Sequence, residues 1–130
     1  MTSAIRIEVA PGELIDKLTI LEIKRERIAD ARKRAHVEAE FAALRGAESE
    51  GVSSSSDLLA LRVRLRSVNE RLWDIEDEIR DCERRGDFGA SFIALARAVY
   101  MTNDRRAELK REINDLLGSA LIEEKSYRPY

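Results

Sequence analysis

The sequence predicts an all-α protein with three long helices in an antiparallel, coiled-coil-like bundle and a short N-terminal strand. The main observation is a run of apolar residues at alternating spacings of three and four over residues 58–82, which is the pattern of a coiled-coil seam. The composition agrees, because 37% of the residues are charged and only 5% are aromatic, which favours long exposed helices. The 130 residues are predicted to form a single helical domain, 1–130.

The first two elements follow from a change in periodicity near Pro11. Apolar and charged residues alternate over 5–9, which predicts a short strand. Pro11 suits the first turn of a helix, where its missing N–H is not needed. Since no Gly or Pro follows for more than thirty residues after Gly12, the first helix is predicted over 11–44.

Glycine and serine residues mark the remaining boundaries. The segment GAESEGVSSSSD, residues 46–57, is small and polar and predicts a flexible linker. The seam helix is predicted over 58–85, with Gly86 in the C′ position after its end. The third helix is predicted over 90–117, because Gly118 stops it.

Three long helices joined by short connections predict an up-down-up arrangement in which neighbouring helices are antiparallel. Pairing the first helix with the second in this way places Glu22 opposite Arg80. It also places Lys24 and Arg25 opposite the acidic residues near position 77. Folding the third helix back sets Arg97 near Asp77. These pairs would contribute more to register than to stability, because exposed ion pairs contribute only ~0.2–1 kcal/mol each.

Composition and charge exclude several functional classes. The net charge of -2 gives no basic surplus for nucleic acid. A single cysteine, Cys82, excludes a disulfide framework. The opening MTSAIRIEVA lacks the apolar core of a signal peptide, and no apolar run approaches the ~18 residues of a membrane span. The predictions are a cytoplasmic protein without membrane insertion, nucleic-acid partner, metal or cofactor.

Four segments carry a family resemblance: PGELIDKLTILEIKRERI (11–28), VNERLWDIEDEIR (68–80), FIALARAVYMTND (92–104) and LKREINDLLGS followed by EEKSY. They resemble a bacterial family of short helical proteins of unknown function. The resemblance covers nearly the whole chain except the linker and the end of the first helix. It implies a link to genes for cell-surface polysaccharide synthesis and glycosyltransferases, and it implies no catalytic residue.

Two enzyme classes remain as alternatives on short motifs. Glu-x-x-Asp pairs place two carboxylates on one helix face, as in the Mg²⁺-binding helices of all-α nucleotide pyrophosphatases, although a solvated helix face has the same pattern. These pairs are Glu13/Asp16, Glu78/Asp81 and Glu112/Asp115. The segments IDKL (15–18) and RIA (27–29) resemble the first helix of chorismate mutases. The later groups that such an enzyme needs are not recognisable.

The most informative feature for function is the excess of apolar surface at one end of the predicted bundle. Residues 14–23 and 92–101 are apolar on more than one face, and three helices cannot cover all of that surface. The N-terminal strand, the C-terminal tail, a second subunit or a ligand must cover it. Of these we predict a second subunit, in a symmetric homodimer.

The leading functional hypothesis is a non-enzymatic helical assembly or adaptor protein with a possible protein partner. The alternative is a small enzyme or a binding module for an anionic ligand, phosphorylated or sugar-derived. Arg97 lies in an otherwise uncharged stretch and is predicted to be partly buried against Glu76 and Asp77. The candidate ligand or interface residues are Trp73, Glu76, Asp77, Arg97, Tyr100, Lys24 and Arg25.

Overall fold

The computed structural model describes residues 4–130 and contains four helices in this range. They are α1 (Pro11–Arg27), α2 (Ala31–Gly51), α3 (Ser56–Arg85) and α4 (Ala90–Leu116). The prediction of three helices and an N-terminal strand is therefore wrong, whereas the all-α character is confirmed. Residues 4–10 form neither helix nor strand, and Ile5 is 85% exposed. A strand needs a neighbour to pair with its backbone, and every regular element among residues 4–130 is a helix.

The predicted first helix is divided into two helices at residues 28–30. Ile28 adopts extended backbone angles, and the Asp30 side chain caps α2 by accepting a hydrogen bond from the Lys33 amide at 2.9 Å. Basic residues in the last turn of α1 favour a helix end at this point, because they interact with the negative end of the helix dipole. The break lets α2 fold back on α1, and Arg25 of α1 contacts Glu38 of α2 at 2.8 Å.

The turn between α1 and α2 changes the direction of α1 relative to α3, the helix that carries the predicted seam. Contacts along α4 run backwards as α1 advances, from Gly12 with Asn114 to Asp16 with Arg106, so α1 and α4 are antiparallel. Since α3 and α4 form a hairpin, α1 runs in the same general direction as α3. The predicted antiparallel register is wrong for this reason.

The ion pairs follow the new register. Glu22 contacts Arg62 at 2.8 Å and Arg66 at 3.2 Å instead of Arg80. Arg62 also contacts Glu48 of α2 at 2.9 Å. Burial of the Arg62 guanidinium opposes its charge, but hydrogen bonds to the two carboxylates outweigh this effect and raise its pKa. This cluster joins α1, α2 and α3.

The boundaries of α3 and α4 are close to the predicted ones, but the helix before them ends at Gly51 rather than at residue 44. Residues 46–51 of the predicted linker belong to α2, and the connection to α3 is only 52–55. Ser55 caps α3 by accepting a hydrogen bond from the Leu58 amide at 3.1 Å. Gly86 ends α3 with a φ of 66°, which confirms its predicted place after the helix.

The main core lies between α1, α3 and α4. Its fully or nearly buried members are Leu14, Ile15, Leu18, Leu58, Leu65, Leu109 and Ile113. Phe41 and Leu44 of α2 pack against this core from one side and are partly exposed. Val37 is the only buried residue of α2.

Gly12 allows an unusually close approach of α1 to α4. Its amide donates a 2.7 Å hydrogen bond to the Asn114 side chain, which is itself buried. A Cβ atom at this position would lie 2.5 Å from the carbonyl oxygen of Lys110. Only glycine fits here without a shift of the backbone.

The C-terminal tail, residues 117–130, runs back along α4. Lys110 contacts Glu123 at 3.0 Å, and Tyr130 donates a 2.7 Å hydrogen bond to Asp104. Burial of Lys110 disfavours its charge, but hydrogen bonds to Glu13 and Glu123 outweigh burial and raise the pKa of Lys110. The bond to Lys110 in turn lowers the pKa of Glu123.

We expect Gly12→Ala to lower the free energy of unfolding by about 1–3 kcal/mol, because the added methyl group meets the Lys110 carbonyl. Urea denaturation measures the change. Gly46→Ala is the matched control, since Gly46 lies in α2 and a methyl group added there would have nothing within 4 Å, so this variant should be neutral or stabilising. Equal free energies of unfolding for the two variants would contradict the close approach of α1 to α4.

We expect acidification to release the tail from α4. The pKa of Glu123 is lower when the tail is docked, so its contribution is present above the ordinary value of 4.5 and is lost as the pH falls through the docked value. Nuclear Overhauser effects between the rings of Tyr130 and Tyr100, whose centroids are 5.2 Å apart, report docking. They should weaken at pH 3 and, in Glu123→Gln, at pH 7. Unchanged effects in both experiments would refute this attachment.

Candidate functional site

A groove of about 350 Å³ opens between the second half of α1 and the middle of α3. Its walls are mainly apolar, its floor carries polar groups, and its rim carries two carboxylates. The lining residues are Ile20, Ile23, Asn69, Leu72, Trp73, Glu76, Asp77 and Arg106.

A buried carboxylate, Asp16, holds two of the residues that line the groove. Asp16 is 1% exposed, and its Oδ1 accepts hydrogen bonds from Asn69 Nδ2 and Arg106 Nε, each at 2.9 Å. Arg106 also donates from Nη2 to Asp16 Oδ2, so the guanidinium binds both oxygens. Thr19 accepts a second bond from Asn69 at 2.9 Å. Every polar group of this cluster that is fully buried has a partner, which is the condition for keeping a charge inside a protein.

Arg106 connects the buried cluster to the open groove. The hydrogen bond to Asp16 raises the pKa of Arg106 further above its ordinary value, against the effect of burial. Its side chain remains 30% exposed. Nη1 makes no hydrogen bond within the described chain, and its two N–H groups remain available at the groove floor. The positive charge itself is balanced by Asp16.

The rim of the groove is acidic and contains one aromatic ring. Arg27 pairs with Asp74 at 2.6 Å and lies 5.8 Å from the centre of the Trp73 ring. Glu76 pairs with Arg80 one turn further along α3 at 2.8 Å. Asp77 is exposed and makes no ion pair within residues 4–130. The groove therefore combines apolar walls with a net negative rim.

Both carboxylates of the predicted Glu-x-x-Asp pair at the start of α1 form ion pairs with basic side chains of α4. Glu13 contacts Lys110 at 2.7 Å, and Asp16 is held by Arg106. No group of three or more His, Cys, Asp and Glu residues within 4–130 is arranged to hold a metal ion.

The structure brings together three of the seven predicted site residues, Trp73, Glu76 and Asp77, in the groove. Arg25 lies on the other side of α1, where it contacts Glu38 and the ring of Phe41. Lys24 is half-buried near the end of α1 and does not line the groove.

Arg97 and Tyr100 lie on the outer side of α4. Arg97 precedes Arg106 by nine residues, which is half a turn out of phase on an α-helix. The predicted burial of Arg97 is wrong, because its side chain is exposed and forms no ion pair among the described residues. The predicted pair with Asp77 does not form, because Arg97 lies on the side of α4 opposite to Arg106, which lines the groove. Tyr100 packs edge-on against Tyr130 of the tail instead.

Sequence reasoning missed the polar cluster behind the groove, formed by Asp16, Asn69 and Arg106. A signal for Asp16 was present, because the positions one turn before and after it are Gly12 and Thr19, which are small and uncharged. A carboxylate surrounded by such residues on its own helix face is a candidate for burial. No comparable signal distinguishes Arg106 from the many other arginines of the chain.

We expect Arg106→Met to lower the free energy of unfolding by about 3–5 kcal/mol, because it leaves the buried Asp16 carboxylate without its cation. Arg105→Met removes the neighbouring arginine, whose partners are exposed, and should change stability by no more than ~0.5 kcal/mol. Chemical denaturation of both variants measures the difference. Similar small effects would show that the cluster is not what holds α4 on α1.

No helix among residues 4–130 is both long enough and apolar enough to cross a membrane. A search of curated proteins and a search of solved structures each gave no significant match. Residues 5–129 match the DUF6165 family, which is described as a family of unknown function. This match spans nearly the whole chain and confirms the predicted membership of a family of unknown function. The chain belongs to the DUF6165 family.

Proposed function

We propose that this protein is a non-enzymatic assembly protein that forms a homodimer through the far end of its α3–α4 hairpin. We call this part, residues 75–101, the distal hairpin. The observation that carries the proposal is the difference in helix length, since α3 has 30 residues and α1 has 17. At 1.5 Å per residue, α3 is about 45 Å long and α1 is about 25 Å long.

The distal hairpin extends past the helices that cover the rest of α3. The last side-chain hydrogen bond between α1 and α3 in the described chain joins Arg27 to Asp74. Residues 75–85 of α3, about 16 Å of helix, lie beyond this contact. In this part α3 packs against α4, which buries Ile75 and Cys82 between them.

The outer surface of the distal hairpin carries large apolar side chains. Phe88 and Ile93 are each 55% exposed, and Tyr100 and Met101 are nearly half-exposed. A group of exposed, large apolar residues at one end of a helical hairpin is typical of a surface that another protein covers. A second copy is the partner we favour, because one two-fold contact between identical hairpins would cover both surfaces at once.

The alternative, a small enzyme or a binding module for an anionic ligand, is less well supported. Its best candidate site is the groove, where Arg106 has unused N–H groups. However, Asp16 already balances the charge of this arginine, and Glu76 and Asp77 add negative charge at the rim. An anion would be repelled there rather than attracted. The link to polysaccharide synthesis and the cytoplasmic location stay predictions.

Sedimentation at micromolar concentration should give about twice the chain mass of 14.8 kDa. The double variant Phe88→Glu/Ile93→Glu should be monomeric, because it places charges on the apolar surface of the distal hairpin. Leu59→Glu/Val63→Glu is the matched control, since these residues are equally exposed, at 60% and 61%, near the other end of α3. The control should remain dimeric. A monomeric wild-type chain would refute the proposal. A control that dissociates while Phe88→Glu/Ile93→Glu stays dimeric would also refute it.

A further inference from the structure

We infer that the groove of one copy receives the α3–α4 turn of a second copy, with Phe88 of the partner packed beside Trp73. The inference rests on the proposed homodimer and specifies how its two copies fit together. It follows from three observations: the order of residues along α3, the apolar lining of the groove and the distribution of charge on α3.

The order of residues along α3 is self-complementary in an antiparallel pair. A two-fold axis that crosses α3 between Arg80 and Asp81 places Trp73 of one copy next to the turn after the other copy's α3, and this turn carries Phe88. The same axis places Asp77 level with Arg84. Because the contact is two-fold, it occurs twice, and each groove receives one turn. The assembly closes at two copies and leaves neither groove empty.

The apolar parts of the contact match in size and position. Phe88 lies in the turn at the tip of the hairpin, is 55% exposed, and packs edge-on against Phe92 with ring centres 5.3 Å apart. The groove offers Ile23, Leu72 and Trp73 as a wall for this ring. A space of about 350 Å³ is large enough for a phenylalanine side chain and its neighbouring backbone. Aromatic pairs such as Phe88 with Trp73 favour the edge-to-face and offset geometries that a groove permits.

The charges of the contact also match. Glu76 and Asp77 lie on the rim of the groove, whereas Arg84 and Arg85 end α3 just before the turn. In the antiparallel pair, Asp77 comes level with Arg84 of the second copy, and the two residues share one face of α3 because seven residues make nearly two turns. A parallel pair would instead set each acidic residue against itself, which is repulsive.

The ion pairs that these residues form within one copy do not prevent the contact between two copies. Arg84 pairs with Asp81 at 2.9 Å and Glu76 pairs with Arg80, in both cases on the exposed surface of the same helix. Local pairs of this kind contribute little and can be replaced by a contact with another copy. Asp77 makes no ion pair in the described part of the chain and can accept a new partner directly.

A charge-reversal pair tests this arrangement. Asp77→Arg sets two arginines against each other at both symmetric contacts, and Arg84→Asp sets two aspartates against each other. We expect each variant alone to raise the Kd of the dimer by about tenfold or more. An equimolar mixture should form a heterodimer with a Kd close to that of the wild type, because both contacts are then between opposite charges. Sedimentation equilibrium of the two variants and of their mixture measures this.

Glu78→Arg is the matched control, since Glu78 is the next residue but pairs with Arg71 on another face of α3. It should leave the Kd unchanged. Wild-type affinity of both reversal variants, or a mixture that stays monomeric, would overturn this arrangement. The assembly proposal would still stand if Phe88→Glu/Ile93→Glu were monomeric. A wild-type chain that is monomeric throughout would overturn both.

Discussion

The Asp16 carboxylate fixes α1, α3 and α4 relative to one another. A buried carboxylate requires donors, and Asn69 and Arg106 supply them from the two other helices. These bonds determine the register of α1 on α4, and the register in turn places Gly12 against the Lys110 carbonyl. Any sliding of α1 by one turn would leave the carboxylate unpaired and would bring a larger side chain into this close contact. The position of the groove depends on the same bonds, because Arg106 forms its floor.

The parts of the fold that were predictable are those determined by local sequence. The seam of α3 has strict periodicity, and Gly86 and Gly118 stop helices by adopting positive φ angles. The break between α1 and α2 was not predicted, because neither Gly nor Pro marks it. Its signals are weaker, namely a basic last turn and the single cap Asp30. Missing this one turn reversed the direction assigned to α1, and the ion pairs predicted between the first and second helices failed with it.

The candidate site was predictable where it depends on one helix and not where it depends on three. Trp73, Glu76 and Asp77 follow each other on α3, so a single periodic pattern places them at one surface. Arg97 was expected to be buried because its neighbours are apolar. Those neighbours instead include much of the exposed surface of the distal hairpin, where an arginine is well solvated. Asp16 and Arg106 are ninety positions apart, and no local pattern connects them.

The peripheral position of α2 has a consequence for the cooperativity of unfolding. At the level of the backbone α2 packs only against α1, Val37 is its one buried residue, and the pair Arg62–Glu48 links it to α3. The core between α1, α3 and α4 does not require α2 to remain packed, since most of its members lie in those three helices. We therefore infer that the chain contains two units of different local stability, in which α2 opens and exchanges its amide hydrogens while the remaining three helices stay folded.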